Sequence, residues 1–196
     1  MNIFYLDRDP KKCAEMHCDK HVVKMIIEYA QLMSTAHRVL DGYEDIEQRY
    51  VAGSLPVRWR KVKVWRHPDN DFNVGLMKAS HVNHPSGVWT RQSKENYLWL
   101  NRMWTYLLKE YTHRYRKHHA CEKYVNFLCA TPNNIPDGSF TDPTPAMPDE
   151  CKIDGNSIAS YHKYYIEKKV RFARWTNRTI PEWFNSGVQN ANVHVY

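Results

Sequence analysis

Seven polar side chains between His17 and Arg38 could do chemistry together. His17, His21, Lys24, Glu28, Gln31, Thr35 and Arg38 follow one another at steps of four, three, four, three, four and three. At about 100° per residue these steps keep all of them on one helical stripe, roughly 100° wide. Two imidazoles, an amine and a carboxylate then share one wall. Lys24 and Glu28 stand one turn apart, the reach of an ion pair that lowers a carboxylate pKa. Burial in a dry cleft would act the other way, raising Glu28 toward general acid or base work and depressing Lys24 toward a nucleophilic amine. The same residues also fit a solvated face carrying a salt bridge. A metal competes for them, because Cys13, His17 and His21 fall at i, i+4 and i+8 of a continuous helix. No fourth ligand is evident, so neither a metal nor any other cofactor is assigned.

The opposite face of this segment is almost wholly apolar, with Val22, Val23, Met25, Ile26, Ile27, Tyr29, Ala30, Leu32, Met33, Ala36 and Leu40. An ordinary surface helix has the narrower apolar stripe. The inverted proportions predict a helix packed on most sides whose remaining face lines a cleft. Asp9-Pro10 supplies an N-cap and a first-turn proline, and Asp41-Gly42 a stop, so residues 10–40 read as helix with a break near Cys18-Asp19. The run Arg58 to Arg66 alternates cations with Trp59, Val62, Val64 and Trp65, which fits a short strand or an irregular edge. Ser86 to about His118 reads as the longest core helix, a short helix follows near Glu122 to Cys129, and Ile158 to Trp175 reads as the last.

Residues 131–150 carry Pro132, Pro136, Pro143, Pro145 and Pro148 and are expected to be a proline-rich loop or lid. The sum is a mainly α, compact single-domain helical bundle with long irregular loops, spanning 1–184, with 185–196 as a C-terminal tail. A length of 196 residues fits one domain, and 7 Trp, 13 Tyr and 6 Phe argue for a packed core over disorder. The 5 cysteines include no CxxC pair, which argues against a disulfide framework. No apolar run reaches the roughly 20 residues of a membrane span, and the N-terminus lacks the features of a secretory signal. A cytoplasmic protein without a membrane partner is expected.

Lys and Arg total 28 against 21 Asp and Glu, a net charge of +7 that makes a polyanionic partner plausible. Lys163, Lys168, Lys169, Arg171 and Arg174 are interleaved with Tyr161, Tyr164, Tyr165, Phe172 and Trp175. Cations grip phosphates while aromatic faces stack on bases, although the same aromatic spacing also fits the core side of a helix. The cluster His113 to His119 is equally explained by cations complementing a helix C-terminus.

The interval from His21 to Glu28, the lysine-rich helix with Lys20 and Lys24, the segment Asn83-His84-Pro85-Ser86-Gly87-Val88-Trp89 and the stretch Tyr161-His162-Lys163-Tyr164-Tyr165 resemble the pyrimidine dimer DNA glycosylase family, the phage-type endonuclease V fold. The resemblance implies an all-α protein that binds duplex DNA, flips a nucleotide and attacks the sugar C1′ with an amine to form a Schiff base. Glu28 would be the catalytic carboxylate, with His21 and Lys24 beside it. The family uses the α-amine of a small second residue, whereas Asn2 follows Met1 here, so the amine would be that of Met1, Lys24 or Lys20. His17, Lys20, Gln31, Arg38, His84, Trp89, Lys163, Tyr165, Lys168, Arg171 and Arg174 would contact double-stranded DNA, with Trp89 or Tyr165 stacking at the pocket. Two other functions fit: a non-catalytic DNA-binding protein of this fold, and a small-molecule enzyme acting on a nucleotide with 131–150 as its lid.

Overall fold

Residues 3–6 read Ile-Phe-Tyr-Leu, an apolar run with no polar side to turn to water, and the helices are arranged around it. The computed structural model describes residues 1–53 and 55–190. Ile3, Phe4, Tyr5 and Leu6 run extended through the centre, each at most 4% exposed. Buried main-chain groups need hydrogen-bond partners, and here side chains supply them. The Phe4 N–H donates to the Tyr29 hydroxyl at 3.1 Å and the Leu6 N–H to Cys13 Sγ at 3.4 Å. His162 Nε2 donates to the Leu6 carbonyl at 2.8 Å, and Trp99 Nε1 to that of Arg8 at 2.9 Å.

Eight α-helices are formed among the described residues, so the protein is mainly helical. Helix α1 (Pro10–Met16) starts at Asp9, whose carboxylate accepts from the Lys11 and Lys12 N–H groups, and it stops where His17 turns extended. Helix α2 (Asp19–Leu40) follows, so the expected 10–40 helix is two helices broken at His17-Cys18. Helix α3 (Asn70–Gly75) is short. Helix α4 (Pro85–Gln92) and helix α5 (Lys94–Tyr115) replace the single helix expected over Ser86 to His118. Ser93, extended at φ −150°, ends α4 and caps α5 by accepting from the Asn96 N–H. Helix α6 (Val125–Leu128) continues a 3-10 turn at Ala120–Tyr124.

Helix α7 (Ser157–Lys168) ends before the expected Trp175, because the chain turns at Lys169 and Val170. Helix α8 (Glu182–Asn190) corrects the expected tail: Phe184 and Val188 are buried and dock it on the core, while 191–196 lie outside the described residues. Helix α2 packs on α4 and α5, and α1 packs on α5. The 131–150 segment is irregular, as its prolines require, and is strapped down along its length. Asn96 exchanges hydrogen bonds with Thr141, Trp89 Nε1 donates to the Thr141 carbonyl, and the Tyr5 hydroxyl donates to Asp142.

The alternation Arg58 to Arg66 is resolved as strand. Strand β1 (Tyr43–Tyr50) pairs antiparallel with β2 (Trp59–Arg66), from Tyr43 opposite Arg66 to Tyr50 opposite Trp59. Gly42 makes the turn into it, since a Cβ there would sit 2.1 Å from the Arg66 carbonyl oxygen and 2.4 Å from that of Arg38.

A buried ionic network joins α1, α2, α5 and the segment after α7. Arg114 has no exposed side-chain surface and donates to Glu110 at 2.7 Å, to Asp19 at 2.8 Å and to the Glu15 carbonyl at 2.9 Å. Arg178 donates to both Glu110 oxygens, at 2.9 and 2.8 Å. Burial alone would raise the Glu110 pKa, and the Arg178 and Arg114 guanidiniums outweigh it and hold the carboxyl below its ordinary range. Removing one partner of such a pair leaves uncompensated buried charge. Arg114→Ala is therefore expected to lower the unfolding free energy by about 3–5 kcal/mol. Urea denaturation checks this, and a loss below about 1 kcal/mol, the range of surface pairs, would show that water reaches the network.

Candidate functional site

The extended N-terminal segment delivers the α-amine of Met1 to the start of α4. His84 caps that helix: its Nδ1 accepts from the Ser86 N–H at 3.2 Å, and Pro85 occupies the first helical position. Its other ring nitrogen, Nε2, lies 3.4 Å from the Met1 amine. Accepting at Nδ1 places the proton of the neutral imidazole on Nε2. The ring therefore turns Nε2 toward the chain's first residue. Burial chiefly, with the N-terminal charge and His81 adding to it, lowers the His84 pKa, while Glu28 opposes them. Glu28 is thus close enough for its charge to reach this pair.

Glu28 projects from α2 and is mostly covered, and its Oε1 lies 3.2 Å from the Nζ of Lys24, which is largely in solvent. The amine and His84 are in contact, Lys24 and Glu28 are paired, and the Glu28 charge acts on His84. His81 flanks it at φ 50°, a left-handed backbone that a non-glycine residue adopts at a cost. Its ring meets Ser80 Oγ at 2.6 Å, and its carbonyl accepts from the His84 N–H. Sequence reasoning missed His81. Its spacing, three residues before His84, was the available signal.

The stripe on α2 divides into three parts, only the middle of which is open. At the first end His17 is fully buried in the link between α1 and α2. It donates from Nδ1 to the Cys13 carbonyl at 2.7 Å and accepts from the Tyr29 hydroxyl at 3.0 Å, so it has nothing left for DNA or metal. His21 is stacked on Phe4 with ring centroids 4.0 Å apart and is hydrogen-bonded through Nδ1 to the Tyr165 hydroxyl. At the far end Gln31 donates to the Lys78 carbonyl, and Thr35 accepts from the Ser80 N–H at 3.2 Å.

Arg38 is 3% exposed, and all five of its N–H groups are taken. They go to the carbonyls of Met77, Trp65, Asn73 and Leu76 and to Asn73 Oδ1, at 2.7 to 3.1 Å. A guanidinium so saturated cannot also grip a phosphate, which corrects its expected role. Trp89 and Tyr165 are likewise core residues, 2% and 0% exposed, and cannot stack on a base in this arrangement.

The accessible cations lie elsewhere. Lys20 sits over the Phe172 ring at 4.8 Å and Lys169 over the Tyr164 ring at 4.3 Å. Together with Lys24 they make a basic, aromatic rim next to the buried His21, whose pKa reflects the charges of Lys169 and Lys24. Arg171 is exposed in the turn after α7. Lys168 pairs with Glu150 at 3.0 Å, Lys163 lies 3.9 Å from Glu167, and Arg174 donates to the Ala173 carbonyl, so these three are partly neutralised or engaged. No group of three or more His, Cys, Asp or Glu side chains among the described residues is placed to hold a metal ion. No described helix is long and apolar enough to cross a membrane.

Burial pushes His17 and His37 each down to about 4 and, reinforced by His17, Lys169 and Lys24, His21 to about 2. These imidazoles are neutral in the folded chain and titrate near 6.5 once unfolded. The unfolded state therefore binds more protons below that value, and stability rises with pH. The contribution is complete above about pH 6.5 and is lost as pH falls toward 4, on the order of 3 kcal/mol for His17 alone. The urea midpoint is expected to fall steeply over this window, and less so in His17→Gln. A flat profile would show that these rings are solvated. Comparison with known proteins returned no match: no family model, no curated protein and no solved structure is significantly similar to this chain.

Proposed function

We propose that this protein is a DNA-acting enzyme of glycosylase and abasic-site lyase type, built on an endonuclease V-like fold and working in the cytoplasm on damaged or modified double-stranded DNA. The reading rests on one observation above others, the Met1 α-amine held 3.4 Å from His84 Nε2, an imidazole that also feels the Glu28 charge. A lysine amine is the alternative nucleophile, but Lys24 is bound to Glu28 as its ion pair. The chemistry is that implied by the resemblance to the glycosylase family. The amine nitrogen attacks C1′, the glycosidic bond breaks, and the base leaves with the bonding pair and takes up a proton. Loss of the remaining amine proton and opening of the sugar give a C1′ Schiff base. Removal of a C2′ proton then expels the 3′ phosphate and cuts the strand.

Glu28 stabilises the positive charge that develops on the sugar, an electrostatic role favoured by its partial burial. Lys20, Lys24 and Lys169 offer the phosphate contacts, and the net charge of +7 supports a polyanionic partner. A non-catalytic DNA-binding protein would need no free amine beside a fixed imidazole, so it is the second reading.

Borohydride added to the protein with an abasic-site duplex is expected to trap a covalent complex that mass mapping assigns to Met1. A Gly-Ser dipeptide ahead of Met1 should abolish the adduct while DNA is still bound. An adduct that survives the extension and maps to a lysine would overturn the assignment of the amine, and no adduct at all would favour the non-catalytic reading. Glu28→Gln is expected to slow turnover by about 100-fold or more while duplex affinity is equal or higher, since the change removes a negative charge. Unchanged turnover would remove Glu28 from the mechanism.

A further inference from the structure

Between Gln48 and Pro68 the chain has no Asp or Glu, yet it carries Arg49, Arg58, Arg60, Lys61, Lys63 and Arg66. All of these fall on the β1–β2 hairpin or its connection. The three carboxylates of the hairpin, Glu44, Asp45 and Glu47, lie at its base, where they hold Lys63 at 2.8 Å, Arg66 at 2.6 Å and Arg49 at 3.2 Å. The outer half therefore presents Arg60 and Lys61, both exposed, with no carboxylate in its sequence. Arg49 stands directly opposite Arg60 in the register. Glu47 already offsets the Arg49 charge, which leaves Arg60 and Lys61 as the cations of the outer half.

The other face of the hairpin carries Gln48 opposite Lys61, Ile46 opposite Lys63 and Tyr50 opposite Trp59. Trp59 is 63% exposed, and its ring meets Tyr50 edge-on at a centroid distance of 6.0 Å. Only the exposed Trp59 is ill suited to water, and with lysine and glutamine beside it the face matches what nucleic acid offers. Phosphates take cations, base edges take Gln, and thymine methyls or base faces take the aromatic ring. The dimensions agree as well. A two-stranded ribbon enters the major groove, which is about 12 Å wide, and eight-residue strands reach about 27 Å. The base is rigid: Arg38, buried and saturated, donates to the Trp65 carbonyl, and Gly42 closes against Arg66.

We infer that the β1–β2 hairpin is a DNA-contacting arm that lies in a groove of the duplex, with Arg60 and Lys61 on phosphates and Gln48 and Trp59 toward the bases. This rests on the reading of the protein as DNA-binding, and it adds a second contact surface to the rim of Lys20, Lys24 and Lys169.

Binding of a fluorescent abasic-site duplex is measured at a series of salt concentrations for the full chain and for Arg60→Gln/Lys61→Gln. The double variant is expected to bind about tenfold or more weakly, and its salt slope to fall by about 2, one unit per cation removed. Its thermal midpoint should not drop, since both side chains are exposed. Borohydride trapping at saturating duplex should be retained, because the arm is remote from the amine in sequence and takes no part in the chemistry. Trp59→Ala, with all cations kept, should weaken binding while leaving the salt slope unchanged. Equal affinity and slope in the double variant, with trapping intact, would overturn the arm and leave the proposed function standing. Absence of duplex binding by the unaltered protein at low salt would overturn both. Self-association that Trp59→Ala abolishes, with DNA affinity unaltered, would assign the hairpin to a second copy of the chain and overturn the inference.

Discussion

An extended backbone buried inside a helical core has no strand beside it to take its hydrogen bonds, and the rest of this molecule is organised by that constraint. The segment Ile3 to Leu6 is apolar enough to demand burial, yet each peptide group carries a donor and an acceptor that burial strips of water. Tyr29, Cys13 and His162 answer with side chains from α2, α1 and α7, and Trp99 from α5 anchors the chain just beyond. Residues that look like reactive groups in the sequence are thereby consumed as structure. Cys13 accepts from the Leu6 N–H and donates to the Phe4 carbonyl, while His17 holds the Tyr29 hydroxyl in place.

The same segment gives the protein its best candidate for chemistry. Threading residues 3–6 through the core leaves the chain terminus at the N-cap of α4, where His84 needs one ring nitrogen for the helix and turns the other to the amine. Capping a helix and setting a tautomer are therefore one interaction. The middle of the α2 stripe, Lys24 and Glu28, stays open because its two ends are committed elsewhere, and the Glu28 charge acts on His84. His17 and His21 belong to the aromatic packing around Phe4, and Gln31, Thr35 and Arg38 hold the chain from Asn73 to Ser80.

Arg38 illustrates how a charge can be spent on architecture. A buried guanidinium without a carboxylate would be costly, and it is tolerated because five oxygens from two stretches of chain, Trp65 and Asn73 to Met77, surround it. In return it fixes the base of the hairpin to α2 and α3. The Arg114 network does the equivalent at the opposite end of α2, with carboxylates in place of carbonyls. Between these two anchors the accessible cations are those with short-range apolar support, Lys20 over Phe172 and Lys169 over Tyr164, and those carried outward on the hairpin.

Local chemistry was legible in the sequence wherever it needed only neighbours along the chain. Asp9-Pro10 determined the start of α1, the spacing on α2 placed its polar residues on one stripe, and five prolines excluded regular structure from 131–150. The alternation Arg58 to Arg66 allowed a strand, but only the pairing with Tyr43 to Tyr50 made it one. Helix limits at Ser93 and Lys168 escaped notice because an apolar period continues through a break that backbone dihedrals alone define. Tertiary structure decided which polar residues remain available, since periodicity reports a face and cannot say what covers it. Trp89, Tyr165 and Arg38 carry the right groups for DNA, but packing against distant segments buries them. His84 reads as an ordinary cap until the fold brings the chain terminus from 83 residues away to its free nitrogen.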